Sequence, residues 1–329
     1  MSVFIEVEHV TTYRYAKPVE FSNHKVMFRP RAAHDIRVLR TSLEVSPLAR
    51  QHWIQDVFSN SVALVELLEP ADELRFNARF TIEHFGVRNL ELPVDPEAQN
   101  YPFEYKVDDR IDLAPFLPPQ YPKDAPGVSD WVKQFMPARG VIQTRDILRN
   151  ISEGIRSDFA YASREAMGTQ RPAETLSLRG GTCRDFALLM IEAARGLGLA
   201  ARFVSGYLYD PSLDGSLPVE VGSGLQQGVR QSESFDAEVD TRGAGATHAW
   251  LHVYLPGAGW VPFDPTNTLF GGTDLIRVAY TRTPEQAAPI SGGWTGSASD
   301  YLGMTVRVNV RRIDAEQAAA DAEDPSGEP

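Results

Sequence analysis

A chain of 329 residues with 43% hydrophobic and 10% aromatic residues can bury two ordinary cores, which excludes a natively disordered protein. Its 44 acids against 32 bases leave a formal charge of −12, so a nucleic-acid backbone is excluded as the expected partner. A single cysteine rules out an intrachain disulfide framework and suits a reducing compartment, and no apolar run has the length of a membrane span, so a cytoplasmic location is expected.

Residues 2–15 alternate, with Val3, Ile5, Val7, His9, Thr11, Tyr13 and Tyr15 on one face, which predicts a half-buried strand. Leu39, Thr41, Leu43 and Val45 predict a second, Val62 to Leu68 a third, and Leu74, Phe76, Ala78, Phe80 and Ile82 a fourth. Turn-rich breaks such as Ser46-Pro47 and Ser59-Asn60-Ser61 separate them, so residues 1–110 read as an antiparallel β-sandwich domain. His9, His24, His34, His52 and His84 lie here without metal-ligand spacing or a second cysteine, and read as structural or solvated.

Prolines at 115, 118, 119, 122 and 126 disfavour regular structure, so residues 111–127 read as an extended linker and 128–312 as a second domain. Helical patterns follow over 131–136, from Thr144 through Ile147, Leu148, Ile151 and Ile155, and over 172–176. At Thr182 a Thr-x-x-Asp capping box with Asp185 opens a helix whose Ala187, Leu188, Met190, Ile191, Ala194 and Leu197 recur at buried spacing, with Gly196 and Gly198 as its stop. That places Cys183 at the first helical position, where unpaired N–H groups and the helix dipole favour a thiolate.

Residues 201–209 read as a strand and 210–246 as a long loop, either a binding loop or an insertion without a role. Residues 248–254 and 260–264 alternate as a hairpin. A three-residue loop Leu255-Pro256-Gly257 would set His248 opposite Asp264. Met304, Val306, Val308 and Val310 form a last strand that fits either sheet. Residues 313–329, acidic and without Lys or Arg, read as a disordered tail.

Three blocks carry the chemistry: Gly-Gly-Thr-Cys-Arg-Asp-Phe-Ala at 180–187, Thr-His-Ala-Trp at 247–250 and Trp-Val-Pro-Phe-Asp-Pro-Thr-Asn at 260–267. In this order the chain resembles the transglutaminase-like superfamily of papain-related enzymes. Its opening, with Tyr13-x-Tyr15, Pro18-Val19, His24 and Arg29-Pro30-Arg31, resembles more loosely the β-rich region that precedes bacterial members. The resemblance implies an α+β chain, an N-terminal sandwich followed by a papain-like core, with a triad of nucleophile Cys183, base His248 and orienter Asp264. Were Asp264 out of reach of His248, Asn267 would be the next orienter to consider. The Cys183 N–H and the Tyr161 hydroxyl are candidate oxyanion donors, and Trp250 and Trp260 are candidate substrate contacts, though wall or core is the simpler role for both. His252, four residues along the strand from His248, reads as structural.

The expected activity is cleavage of a peptide or amide bond through a thioester, with no cofactor and no metal. Amine acyl transfer is the alternative within the same chemistry. A non-catalytic peptide-binding module is the alternative outside it.

Overall fold

In the computed structural model the described residues are 2–85, 92–162, 168–214, 219–223, 242, 246–270 and 274–323. The chain opens with six strands: β1 (Val3–Phe21), β2 (His24–Val26), β3 (Ile36–Ser46), β4 (Ala49–Gln55), β5 (Ser61–Leu67) and β6 (Ala71–His84). Helices α1 (Val107–Asp112) and α2 (Ala125–Val132) come next, with β7 (Asn100–Tyr101) before them and its partner β8 (Ile142–Gln143) after. Then follow α3 (Thr144–Asp158), β9 (Ala160–Tyr161), α4 (Pro172–Leu178), β10 (Gly180–Gly181) and the central helix α5 (Cys183–Gly196). The second half is mainly strands: β11 (Ala201–Leu208), β12 (Val219–Ser223), β13 (Thr247–Leu255), β14 (Gly259–Phe263), β15 (Leu275–Thr281), β16 (Ile290–Ser291), β17 (Trp294–Thr295) and β18 (Tyr301–Ile313). Helix α6 (Ala315–Glu323) comes last.

The α+β reading holds. Two antiparallel sheets form the N-terminal half, one ordered β12-β18-β1-β6-β3 and the other β16-β2-β5-β4. The alternation in β1 is the cause: Ile5 and Val7 turn into the core, while Glu6 and Glu8 face out and pair with Arg311 and Arg79. The last strand joins this half, with Val7 opposite Val310 and Thr11 opposite Val306. Part of the stretch read as loop, Val219–Ser223, adds a further strand beside it. The rest of that loop, apart from its first residues to Asp214 and from Arg242 and Ala246, lies outside the described residues.

The second half is built on the sheet β14-β13-β11-β15 with α5 against it. Phe186, Leu189, Met190 and Ala193 of α5 share one buried cluster with Phe203, Leu251 and Val253 of the sheet and Ile147, Ile151 and Ile155 of α3. The helix is capped as the Thr-x-x-Asp pattern predicts: Asp185 Oδ2 accepts from the Thr182 N–H at 2.8 Å and from its hydroxyl at 2.9 Å. Oδ1 of Asp185 takes the Gln170 N–H at 2.7 Å, so one buried carboxylate ties two incoming segments to the helix that carries Cys183.

Two expectations are corrected. The proline-rich stretch is not an extended linker: it carries short helical turns and is strapped to α5. Glu192 accepts the Gln120 and Tyr121 N–H groups at 3.0 and 2.9 Å, and Arg195 donates to the Phe116 carbonyl at 3.1 Å. Proline supplies a fixed φ suited to helix starts, and buried charges on α5 supply the partners that its missing N–H groups cannot. The tail is not a free coil up to residue 323 either. It forms α6, buries Ala318, and Asp321 accepts a 2.8 Å hydrogen bond from Thr81. Ala-rich composition favours helix, and one small apolar side is enough to dock it. Residues 324–329 lie outside the described residues. Among the described residues no helix is long and apolar enough to cross a membrane.

Candidate active site

Cys183 stands at the first position of α5, buried, at the end of a Gly180-Gly181 segment that pairs in parallel with Ala160-Tyr161. Gly181 is required there, because a methyl on it would run into the Asp185 side chain at 2.9 Å. The parallel pairing carries Tyr161 to Cys183, and its hydroxyl interacts with the thiol. Burial, reinforced by the charges of Cys183 and Asp264, holds the Tyr161 hydroxyl well above its ordinary value, so it stays a proton donor.

His248 lies near the start of β13, fully buried, opposite Gly206 of β11. A Cβ at Gly206 would collide with the Ile276 carbonyl and approach the Trp250 ring at 2.9 Å, so only glycine lets the strands close at this level. His248 Nε2 is 2.8 Å from Asp264 Oδ2. The Asp264 carboxylate also accepts from the Thr266 N–H at 2.9 Å and from Asn267 Nδ2 at 2.9 Å. The other ring nitrogen, Nδ1, is buried and has no aligned hydrogen-bond partner, and the Cys183 thiol is the group that its charge acts on.

The electrostatics follow from those contacts. Burial pushes the Cys183 thiol up. The adjacent His248 and its charge, the Arg184 guanidinium and the Ala249 backbone outweigh burial and bring it below its ordinary value. Burial pushes His248 down, but the adjacent Asp264 carboxylate and the thiolate more than reverse this and hold the imidazole well above its ordinary range. Burial would raise Asp264, yet His248, Asn267 and the Thr266 N–H keep it below the usual carboxylate range. A thiolate–imidazolium pair braced by a carboxylate is the state these shifts favour, and they belong to the coupled group rather than to any one residue.

The hairpin register departs from expectation. Leu255 stays in the strand and pairs with Gly259, so the loop is Pro256-Gly257-Ala258, centred on Gly257 with φ 81°, and Leu251 faces Phe263. Moving the loop centre by one residue changes the sum of paired numbers by two, which preserves side-chain parity. Asp264 therefore sits diagonally from His248, past the end of β14 in a bridge with Leu269, and on the same side. A β-turn-like closure by Thr266 and Asn267 swings the carboxylate onto the ring.

Both tryptophans hold wall or packing positions. Trp250 is 1% exposed and stacks on His248 with ring centroids 6.0 Å apart, forming the wall behind that imidazole. Trp260 pairs with Tyr254 at the other end of β13, roughly 20 Å from His248 at ~3.3 Å per strand residue, and holds Arg202 against its ring. His252 is structural, buried with Nδ1 3.2 Å from Arg202. His9 likewise spends its ring nitrogens on Tyr207 and Thr11 at 2.8 and 3.0 Å.

Pattern reading underused Asn267. Its Nδ2 serves Asp264 and the Arg242 carbonyl (3.1 Å), while its Oδ1 accepts the Arg242 N–H (2.7 Å). The signal was its place three residues beyond Asp264, where an amide side chain can reach back.

Comparison with known proteins adds two family models: a bacterial transglutaminase-like N-terminal region over residues 5–83 and the transglutaminase-like superfamily over residues 137–265. An uncharacterized protein of Mycobacterium tuberculosis is 26% identical over 321 residues, covering 92% of this chain and 91% of its own. One from Mycobacterium leprae is 23% identical over 308 residues, covering 92% and 98%. A crystal structure from Cytophaga hutchinsonii, provisionally named a cysteine protease, matches with a TM-score of 0.64 at 17% identity. It covers 96% of this chain and 92% of that one.

Proposed function

For a chain that belongs to the transglutaminase-like superfamily, we propose the activity of a cysteine peptidase or amidase with Cys183 as nucleophile, His248 as acid–base and Asp264 as orienter. The observation that carries this reading is the 2.8 Å bond from His248 Nε2 to a buried Asp264, which leaves Nδ1 to the thiol at the start of α5. Thiolate attack on an amide carbonyl forms the S–C bond and places negative charge on the carbonyl oxygen. In this reading the Cys183 N–H, which has no intrahelical acceptor, and the protonated Tyr161 hydroxyl receive that charge. The His248 imidazolium gives its proton to the leaving nitrogen as the C–N bond breaks, and a thioester remains. Water, losing a proton to the neutral imidazole, then attacks the thioester and regenerates the thiolate.

The test has two arms. Alkylation of Cys183 by iodoacetamide against pH should show a midpoint below the ~8.5 of a free thiol, and a midpoint at or above it would sink the assignment. Cleavage of a peptide library should then be followed with and without a fluorescent primary amine. Hydrolysis alone supports a peptidase or amidase, whereas amine incorporated into the acyl product would make the enzyme an acyltransferase.

A further inference from the structure

His248 and Trp250 lie two residues apart on β13, which puts them on one face of the strand. Their rings are 25° from parallel, with centroids 6.0 Å apart. The indole leans back along the strand to meet the imidazole. Its Cη2 atom lies 2.9 Å from where a Cβ on Gly206 would stand, and Gly206 is the residue paired with His248. The remaining neighbours of the indole in its buried cluster, Val204, Leu208, Leu275 and Tyr280, carry no cation. Among the described residues no lysine or arginine lies over it either, whereas Arg29 lies over Trp53 and Arg202 over Trp260. Plain filling does not account for a tryptophan at this position. Its indole Nε1 is buried without a hydrogen-bond partner among the described residues, and an unsatisfied buried donor costs stability. A phenylalanine or a leucine would build the wall without that cost. What indole adds is the aromatic face that attracts a cation most strongly.

We propose that Trp250 is a positioning residue for the acid–base step: its π face stabilises the His248 imidazolium by a cation–π contact and fixes the plane of that ring. This deepens the thiol-enzyme reading and rests on it. The titratable groups that face the imidazole are Asp264, from beyond the end of β14, and Cys183 of α5. Tyr161 of β9 and Arg184 of α5 act on the thiol in turn. The indole differs from all of these in carrying no charge, so it favours the imidazolium and is indifferent to the neutral ring. That selectivity fixes which proton it holds. In a thiolate–imidazolium pair the first proton to leave is that of the thiol, and the imidazolium is present before and after, so the indole leaves this lower step unmoved. The second is the imidazolium proton itself, and the indole raises this upper step alone.

Two measurements on the full chain test this. A protonated imidazole quenches the fluorescence of an indole against it, so tryptophan emission of the wild type should rise as pH climbs through the upper step. The rise should be missing in His248→Gln, and tyrosine ionisation, common to both proteins, cancels in the difference. The ring nitrogens of His248, followed by nitrogen-15 NMR, should titrate about half a unit to one unit lower in Trp250→Leu, a three- to tenfold change in the dissociation constant. Trp250→Phe, with a weaker face, should fall between the two. In both variants the midpoint of Cys183 alkylation by iodoacetamide should stay at its wild-type value. A tryptophan that only fills space would lower the melting temperature of its variants and leave the upper step in place. Emission that is flat through that step, or an upper step unmoved in folded Trp250→Leu, would overturn this inference and leave the thiol-enzyme reading standing. If Trp250→Leu does not fold, the emission difference between wild type and His248→Gln decides alone. A wild-type alkylation midpoint at or above the ~8.5 of a free thiol would overturn both.

Discussion

At the scale of single residues, the three charges at the centre depend on one another, which fixes the expected pH behaviour. Cys183 is held below its ordinary value and His248 above its own, so the ion pair should exist across the interval between them. Activity should rise as pH climbs through the lowered thiol value and fall as His248 gives up its proton, which a plot of kcat/KM against pH would reveal. Stability follows its own signs. Asp264, depressed in the fold, stabilises above its unfolded pKa, and that contribution is lost as pH falls through the folded value. His248, raised, stabilises below its unfolded pKa, and that contribution is lost as pH rises through the folded value. Asp264→Asn removes the charge behind the imidazolium, so the alkaline limb should move down and turnover should drop ten- to a thousandfold. That loss is smaller than the ~10⁴ seen for the equivalent change in a serine triad, because papain-like enzymes work with a neutral orienter. Cys183→Ala should be inactive. Asn267→Ala deletes one of the bonds that hold Asp264 down and frees Arg242, so it should lower kcat by about tenfold with little change in KM. An unchanged pH profile in that variant would mean that Asn267 only braces the loop.

At the scale of elements, what could be read from the sequence followed how local its cause was. The N-cap of α5 needs only Thr182 and Asp185 three residues apart, and both are visible in a line of letters. The hairpin was half legible. Glycine at 257 announced the turn, but whether Leu255 ends the strand or opens the loop depends on its burial against α5 and β14, which no local pattern records. Parity rescued the site, since the error displaced the pairing by an even number. Gly206 is a different case: it looks dispensable in sequence, yet it faces His248 across the ladder beneath Trp250 and the Ile276 carbonyl. Gly206→Ala should therefore cost about 1–3 kcal/mol by overpacking and reduce activity in the folded fraction, because the strand that carries His248 must move. A melt combined with titration of active thiols would separate the two effects. Gly198→Ala, where φ is +80° but nothing lies within 4 Å, should be strained without harming the site.

At the scale of the whole molecule, the two halves are joined at places the sequence does not mark. Partner choice for the last strand is a long-range pairing, with Val7 and Val310 separated by nearly the whole chain, so alternation predicted the strand but not its sheet. The proline segment and the tail were misread for the same reason: their partners, Glu192 and Thr81, lie far away in sequence. One joint can be tested by a single substitution. Asn60, fully buried before β5, accepts the Tyr280 N–H at 2.9 Å on Oδ1 and donates to the Tyr280 carbonyl at 2.7 Å through Nδ2. It thus completes the free edge of β15 as a neighbouring strand would, while its amide is also held by Asp56 at 2.9 Å. Tyr280 in turn stacks on Arg202 and shares a buried cluster with Trp250, the ring behind His248. Asn60→Ala leaves a buried N–H and C=O without partners, at about 1–3 kcal/mol for each group. Asn60→Asp keeps the acceptor for the Tyr280 N–H but sets a second carboxylate beside Asp56. Both variants should melt several degrees lower than the wild type, and Asn60→Ala, which introduces no charge near Cys183, should leave the midpoint of its alkylation unchanged. If the halves are one cooperative unit, the loss should appear as a shift of a single transition. A new early transition in calorimetry, with the thiol still titrating normally above it, would show instead that the N-terminal half unfolds from an independently stable core.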